Sequence, residues 1–474
     1  MAHFAKLVVS LIVLLMSFNT YSSTLEGVRP NGAVCVIKID DKLLVTSEII
    51  TGKLSLPGGR LDSDEFPEQA ALRELYEEAG IKATVTRLLL FSDKYSFIYE
   101  CLPQEPVVAF NTLNRFGGNI VPIHAADHYG VETKSAMLLP IDKLVESEYR
   151  YPRRVKSIKT AFPSLVNAPA LYVDEVIEES RIWQHWSLKL YSTIISDTAI
   201  YPLVLPIANL IEVFVSPLTF LLLLPWIYWR YGRPFALEVM FVVSATSIFC
   251  TIVQYLVAQP LPLAYVPSWG SSHFYGFSFP NAQVASLIAV AALFKHRMQW
   301  QRKTALLILL TVLSGSELLL GKSFLVDILV GAMIGYGFGS VFVSLEERKG
   351  LNLQRYISSW QSWLAMLIIC AGGLWLWQVP VLVDSFVMVT TMALLVRIRL
   401  VADDVSGLSL SEVIKMSTAL ALVFVCLHIL KATIASESLF SLIYDSLFYP
   451  SLFVVLVAML PKRPRLTEQK NNYE

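Results

Sequence analysis

Charge is scarce in this chain. Only 16% of its 474 residues are Asp, Glu, Lys or Arg, and 38 basic residues balance 38 acidic ones. A neutral chain without a strongly basic domain gives no sign of nucleic-acid binding, which relies on clustered Lys and Arg. Cysteine is scarce too. Cys250, Cys370 and Cys426 lie in apolar segments and read as packing residues. Cys35 and Cys101 show no metal-ligand spacing, so a thiolate metal site is not indicated. A disulfide between them is permitted in an exported domain, and two separate thiols are the other reading. What the chain has in excess is hydrophobicity: 55% of its residues, above the soluble norm, so a membrane portion is expected.

The apolar residues are unevenly placed. Lys6, the apolar stretch Leu7 to Phe18 and the small polar residues up to Ser23 form a signal peptide or N-terminal anchor over residues 1–23. Either form exports the domain C-terminal to it. After a linker over 166–200, apolar segments run near 207–229, 235–257, 279–295, 304–321, 324–344, 361–378, 380–397, 411–431 and 442–460, about nine spans. Every second loop is basic. Arg230 and Arg233 follow the first span, Lys295, Arg297, Arg302 and Lys303 the third, and Arg348, Lys349 and Arg355 the fifth. Arg397 and Arg399 follow the seventh, and Lys462, Arg463 and Arg465 the ninth, in a tail over 461–474. Basic loops stay in the cytoplasm, so the first span starts outside. The sequence predicts a multi-pass inner-membrane protein with its N-terminal domain on the periplasmic or extracytoplasmic side.

That domain holds the strongest chemical signal. Residues 59–81 read GRLDSDEFPEQAALRELYEEAGI. Pro67 suits a first helical turn and Gly80 a helix stop. Between them Glu74, Glu77 and Glu78 are spaced i, i+3, i+4 and share one face. Three such carboxylates repel one another unless a divalent cation joins them, and hard oxygen ligands suit Mg²⁺ or Mn²⁺. A solvated acidic face is the plainer alternative. Arg73 can pair with Glu65 or Glu74. The segment fills the pattern G-x5-E-x7-R-E-U-x-E-E-x-G-U, with U a large aliphatic residue, and so resembles a Nudix hydrolase. The resemblance implies hydrolysis of a diphosphate joined to some group X. It implies catalytic roles for Glu74, Glu77, Glu78, Arg73 and Glu65, with metal ligation by Glu74, Glu77, Glu78 and the Gly59 carbonyl. Strands are expected at 32–40, 42–46, 88–91, 95–101 and 136–139, a short helix at 141–144 and a closing helix at 154–162. Together they make an α/β/α sandwich over 28–165. The loop-rich stretch 104–133 carries His124 and His128, which read more readily as surface histidines than as ligands.

Spans two to five carry a second, eroded pattern. QYLVAQPLP (254–262), FSFPNAQ (277–283) and SELLLGKSFLVD (316–327) keep the frame of KxxxxxxRP, PSGH and SRxxxxxHxxxD. They resemble the type 2 phosphatidic acid phosphatase family, whose core would cover 202–344. Pro262, Pro280, Ser316 and Asp327 match. Gln254 stands in the lysine place, Leu261 in that of an arginine, Gln283 in that of a histidine, Glu317 in that of an arginine and Ser323 in that of the attacking histidine. A serine without a histidine base is not activated, and Glu317 repels phosphate. This half therefore resembles the fold while lacking its chemistry. Lys322 and His273 are nearby polar groups that could restore some anion binding. Residues 361–460 add spans beyond that core; Asp384 lies among them without an assigned role.

The sequence thus predicts an all-α polytopic membrane domain behind an α/β domain. It describes a membrane-anchored pyrophosphohydrolase using Mg²⁺ or Mn²⁺ on a diphosphate-containing substrate. Fusion to the membrane half suggests a lipid-linked one, with membrane lipids as the other partners. The alternatives are a lipid phosphatase, of undecaprenyl-diphosphate or phosphatidic acid type, or a non-catalytic lipid-binding scaffold. The sequence leaves the oligomeric state open.

Overall fold

The computed structural model describes residues 31–91, 96–196, 201–269, 275–294, 300–347, 356–357, 359–396, 408–434 and 438–460. The signal segment, the tail, His273 and the basic residues Lys295, Arg297, Arg348, Lys349, Arg355, Arg397, Arg399, Lys462, Arg463 and Arg465 lie outside these.

An α/β domain comes first. Strands β1 (Gly32–Val36), β2 (Lys38–Ile39), β3 (Lys42–Glu48), β4 (Leu54–Ser55) and β5 (Gly58–Arg60) precede helix α1 (Pro67–Ala79). Then come β6 (Ala83–Phe91), β7 (Ser96–Pro103), β8 (Val107–Phe110), β9 (Asn119–Val121), β10 (Thr133–Pro140) and helix α2 (Val155–Ala161). One sheet runs β5-β1-β7-β6; a second runs along β2, β3, β10 and β9. The β2–β3 hairpin turns on Asp40 and Asp41, both with positive φ (48° and 56°), as a two-residue hairpin turn requires.

Period-2 alternation sorts the side chains into two cores. Leu44, Ala136 and Leu138 meet Ala70, Ala71 and Leu75 of α1. Leu43, Val45, Met137 and Leu139 meet Val155 and Ile158 of α2. The result is helix on both faces of the sheets, the expected sandwich. Cys35 and Cys101 lie at the first core and form a disulfide, their Cα atoms 5.5 Å apart.

Several short strands were not legible in the sequence. The stretch 104–133 holds β8 and β9, and the stretch read as a linker holds β11 (Asn167–Ala168), β12 (Ala170–Val173) and helix α3 (Ile182–Ser196). β12 pairs in parallel with β8, and β11 with β2. Strands of two to four residues are too short for periodicity to reveal; their partners are set by tertiary pairing.

An all-helical region follows, with several apolar helices. Its helices are α4 (Tyr201–Val215), α5 (Pro217–Tyr231), α6 (Arg233–Val257), α7 (Ala282–Phe294), α8 (Trp300–Leu319), α9 (Leu325–Glu347), α10 (Trp360–Trp377), α11 (Pro380–Leu395), α12 (Leu410–Ile434) and α13 (Ser438–Met459). Among the described residues five helices are long and apolar enough to cross a membrane, or six if α4 and α5 make one span bent by 52°. The bend replaces the single segment expected at 207–229, because Pro217 cannot donate into the preceding turn. α7 and α11 are apolar but shorter. Helices α7 and α9 pack backbone to backbone. Gly331, Gly335 and Gly339 repeat every four residues on α9, and a Cβ at any of them would strike Asn281, Ala285 or Ala289.

The two parts share a core. Phe110, Val176 and Leu188 pack with Leu261, Leu263, Tyr265 and Phe324. Tyr129 sits edge-on to Phe277, and the Tyr255 hydroxyl donates to the Gly130 carbonyl at 3.4 Å.

Candidate active site

Helix α1 is fixed at both ends. The Gln69 side chain accepts a hydrogen bond from the Phe66 amide, and Gly80 closes the helix at φ 69°, its amide donating to the Tyr76 carbonyl at 2.8 Å. Ala70, Ala71, Leu75 and Ala79 bury one face. The remaining face presents Arg73, Glu74, Glu77 and Glu78 to the β4–β5 loop.

Arg73 organises that face. Nε and Nη2 donate to the two oxygens of Glu65 at 2.9 and 3.0 Å. Nη1 donates to Glu74 at 3.0 Å and to Glu77 at 2.8 Å, while Nη2 also reaches the Arg60 carbonyl at 3.0 Å. The sequence left Glu65 and Glu74 as alternative partners; Arg73 takes both. The bidentate bond holds Glu65 below the usual carboxylate range. Gly59 lies against Glu74 so closely that a Cβ there would overlap its carboxylate.

Positive charge runs out deeper in the site. Glu78 is held by the Gly58 amide at 3.2 Å and the Thr46 hydroxyl at 3.4 Å. Burial, then the charge of Glu74, pushes it up to about 8. Burial also raises Glu74, against the pull of Arg73. A divalent cation would relieve this crowding of like charges, and the donor set fits one. Ligand atoms of Glu74, Glu77 and His128 lie within 4.8 Å of one another. Glu78 is not in that group. His128 is, with Nε2 3.7 Å from Glu77 and its backbone amide donating to the Glu77 carbonyl at 2.8 Å. Two carboxylates and an imidazole suit Mn²⁺ and admit Mg²⁺. His124 goes elsewhere: its ring lies tilted against Tyr265, centroids 4.8 Å apart, and it meets Glu179 at 3.1 Å.

The eroded motifs of the helical region also converge, into a different kind of cluster. Asn281 donates to Ser323 at 2.7 Å and to Glu317 at 3.4 Å. With its amide turned to suit, Gln283 donates to both Glu317 oxygens at 2.9 and 3.0 Å. Gln259 and the Phe324 amide donate to Asp327 at 3.1 and 2.9 Å. Gln254 donates to the Pro280 carbonyl at 2.9 Å, and Lys322 pairs with Glu212. Leu261 belongs to the junction core instead. Among the described residues Ser323 has no hydrogen bond to a histidine.

Residues 29–159 match the NUDIX domain family model. The chain is 46% identical over 50 residues to diphosphoinositol polyphosphate phosphohydrolase 3-alpha of Mus musculus, covering 10% of this chain and 30% of that protein. It is 41% identical over 56 residues to Nudix hydrolase 25 of Arabidopsis thaliana, 12% of this chain and 32% of that protein. The chain thus spans about a third of the length of these curated relatives. Among solved structures, an ADP-ribose pyrophosphatase from Streptococcus suis aligns with 30% of this chain and 97% of its own, at 19% identity and TM-score 0.21. Aquifex aeolicus LpxE aligns with 36% of this chain and 99% of its own, at 18% identity and TM-score 0.31. A transmembrane PAP2 type phosphatidylglycerolphosphate phosphatase from Bacillus subtilis aligns with 36% of this chain and 90% of its own, at 12% identity and TM-score 0.31.

Proposed function

We propose that this protein is a membrane-anchored Nudix pyrophosphohydrolase that cleaves a diphosphate outside the cytoplasm. The carrying observation is the convergence of Glu74, Glu77 and His128 within 4.8 Å, beside Glu78 and over the Gly59 loop. Glu74 and Glu77, with His128, would hold Mg²⁺ or Mn²⁺; Gly59 would offer its carbonyl and Glu78 would complete the set from behind. The cation, when bound, supplies Lewis acidity toward the diphosphate and an activated water. Arg73 keeps Glu74 and Glu77 aimed at one point and Glu65 fixes Arg73, so geometry is set before substrate arrives.

The compartment rests on three mutually consistent features: the signal-like residues 1–23, the alternating basic loops, and the Cys35–Cys101 disulfide, which suits an oxidising space. Free nucleotides are scarce there, which favours an envelope or lipid-linked diphosphate. The membrane half is read as non-catalytic. Each substituted polar motif residue in its cluster is satisfied by a neighbour, so the buried cluster serves as a structural scaffold and not as a phosphatase.

A panel of soluble and lipid diphosphates with Mg²⁺ or Mn²⁺, run on wild type, Glu77→Gln and Ser323→Ala, tests both halves of the reading. Metal-dependent cleavage lost in Glu77→Gln and kept in Ser323→Ala is expected. Lipid-phosphate release that survives Glu77→Gln and vanishes in Ser323→Ala would show the phosphatase to be the active half.

A further inference from the structure

The helices beyond the eroded core enclose a space. A cavity of about 270 Å³ lies between α5, α6 and α7 on one side and α11 and α13 on the other. Its lining is graded. Leu221, Leu224, Met240 and Met392 wall one end. Asp384, Ser385, Asp445, Ser446 and Gln283 line the other. From Asp384 to Met392 helix α11 rises about 12 Å, so the apolar end is deep. Ser244, Ser247 and Ser286 also line the space, Ser244 donating to the Met392 sulfur at 3.5 Å, but the wall is mainly apolar and suits apolar guests. Pro450 of α13, also in the lining, cannot bond back to the Ser446 carbonyl, which leaves a polar group at the shallow end.

The polar end faces the Nudix domain. Ser441, one turn before Asp445 on the same helix, donates to the Ile50 carbonyl at 3.0 Å. Lys134 of β10 lies over the ring of Tyr275 at 4.8 Å. Burial, then the charges of Arg115 and Lys431, pushes the Lys134 ammonium down. The acids beside them are engaged: Asp445 pairs with Lys431, and Asp384 accepts from Ser446 at 2.7 Å. A second cavity, of about 80 Å³, opens at the junction and includes Arg115 and Lys134 in its lining. Half-buried Lys134 and Lys431 with exposed Arg115, and Lys431 joined to the cavity lining through Asp445, match an anionic head on a hydrocarbon chain.

We propose that this cavity binds the hydrocarbon chain of a phosphorylated membrane lipid and that Arg115, Lys134 and Lys431 receive its phosphate at the Nudix-facing lip. The proposal gives α11 and α13 a task. It deepens the hydrolase reading and rests on it for the fate of the head group, whereas chain binding is measured without turnover.

The test uses the full-length protein in phosphatidylcholine nanodiscs. The probes are a prenyl diphosphate, a phosphatidic acid and the matching prenyl alcohol, each carrying a diazirine on the chain. Photolabelled peptides are mapped by mass spectrometry. Expected labelling by a phosphorylated probe falls in residues 380–395 and 438–459, and drops at least tenfold with Met388→Trp, which fills the cavity. Excess unlabelled prenyl diphosphate competes, which serves as the second measurement if that variant does not fold. Lys134→Ala with Lys431→Ala brings the diphosphate down to the level of the alcohol. Which phosphorylated probe labels more strongly separates prenyl from acyl sources. Labelling scattered over outward-facing residues such as Leu376 and Ile429, labelling unmoved by Met388→Trp or by competitor, or equal labelling by the alcohol overturns the proposal. Glu77→Gln leaves labelling intact. If the hydrolase reading fails, cleavage is absent while this pattern remains; if the cavity reading fails, soluble diphosphates are still cleaved while the labelling scatters.

Discussion

Two polar clusters stand within one chain, one partly buried and one largely buried, and they are balanced in opposite ways. On and just before α1, four carboxylates, Glu65, Glu74, Glu77 and Glu78, crowd around one guanidinium and a histidine. In the helical region each acid has its own donors: Gln283 and Asn281 for Glu317, Gln259 and a backbone amide for Asp327. The first cluster retains an imbalance that a proton on Glu78 or a further cation relieves. The second is closed. Unrelieved charge costs stability and persists where it performs a function, while closed amide networks hold helices in register. The contrast supports the proposal that the chemistry lies in the Nudix half.

The sharpest way to break that contrast is to swap which cluster is damaged. Glu77→Gln removes a proposed ligand and a charged partner of Arg73 together. We expect activity to fall on the order of a hundredfold or more, as for lost metal-site groups. Ser323→Ala should leave it within twofold. Steady-state turnover of one diphosphate by both variants decides it, and equal losses would erase the distinction between the clusters. His128→Ala sharpens the same point: activity with Mn²⁺ should fall more than activity with Mg²⁺, because imidazole is the softer ligand.

Next in size is the covalent tie. The Cys35–Cys101 bridge closes 66 residues of chain around the box helix. Loop-closure entropy makes such a bridge worth about 4 kcal/mol. Reductant, or Cys101→Ser, should lower the thermal transition of the Nudix half and leave that of the helical half in place. A Nudix transition indifferent to reductant would remove the bridge from the account. For the helical half, Gly335→Val drives a side chain into the Ala285 backbone and should cost about 1–3 kcal/mol, as over-packing does. Its signature is a lowered helical transition with diphosphate cleavage unchanged.

How much of this was legible depended on how local each signal is. The box helix was, because Pro67, Gly80 and three glutamates carry its start, stop and charged face within fourteen residues. The α7–α9 contact could have been read from glycines at every fourth position. The approach of His128 to the box has no local signal, because it lies 51 residues beyond Glu77 in a loop whose course is set by tertiary hydrogen bonds. β8 and β12 were missed because four residues carry too little periodicity, and their pairing joins segments over sixty residues apart. The cavity behind α11 and α13 has no sequence signature at all: it is made by five helices at once.

The smallest prediction concerns a charge that is balanced inside the Nudix half, and so checks whether balance alone decides between structure and chemistry. Glu100 is buried on β7. Burial opposes its ionisation, but the Val166 amide at 2.7 Å and Arg87 at 2.6 Å more than offset it, and its carboxyl is held below the usual range. A lowered folded value means that the ionised form is favoured by folding. The stability it contributes is therefore fully present above the unfolded value, about 4.3, and is lost as pH falls through the folded one. Glu100→Gln should lower the Nudix thermal transition at neutral pH, and the gap to wild type should close below about pH 4. Turnover at permissive temperature should not change, since Glu100 touches Arg87 and Val166 and none of the box glutamates. A gap that stayed constant down to low pH would mean that packing, and not charge, is what Glu100 contributes. Loss of turnover in the folded variant would mean that a balanced acid can still serve the chemistry.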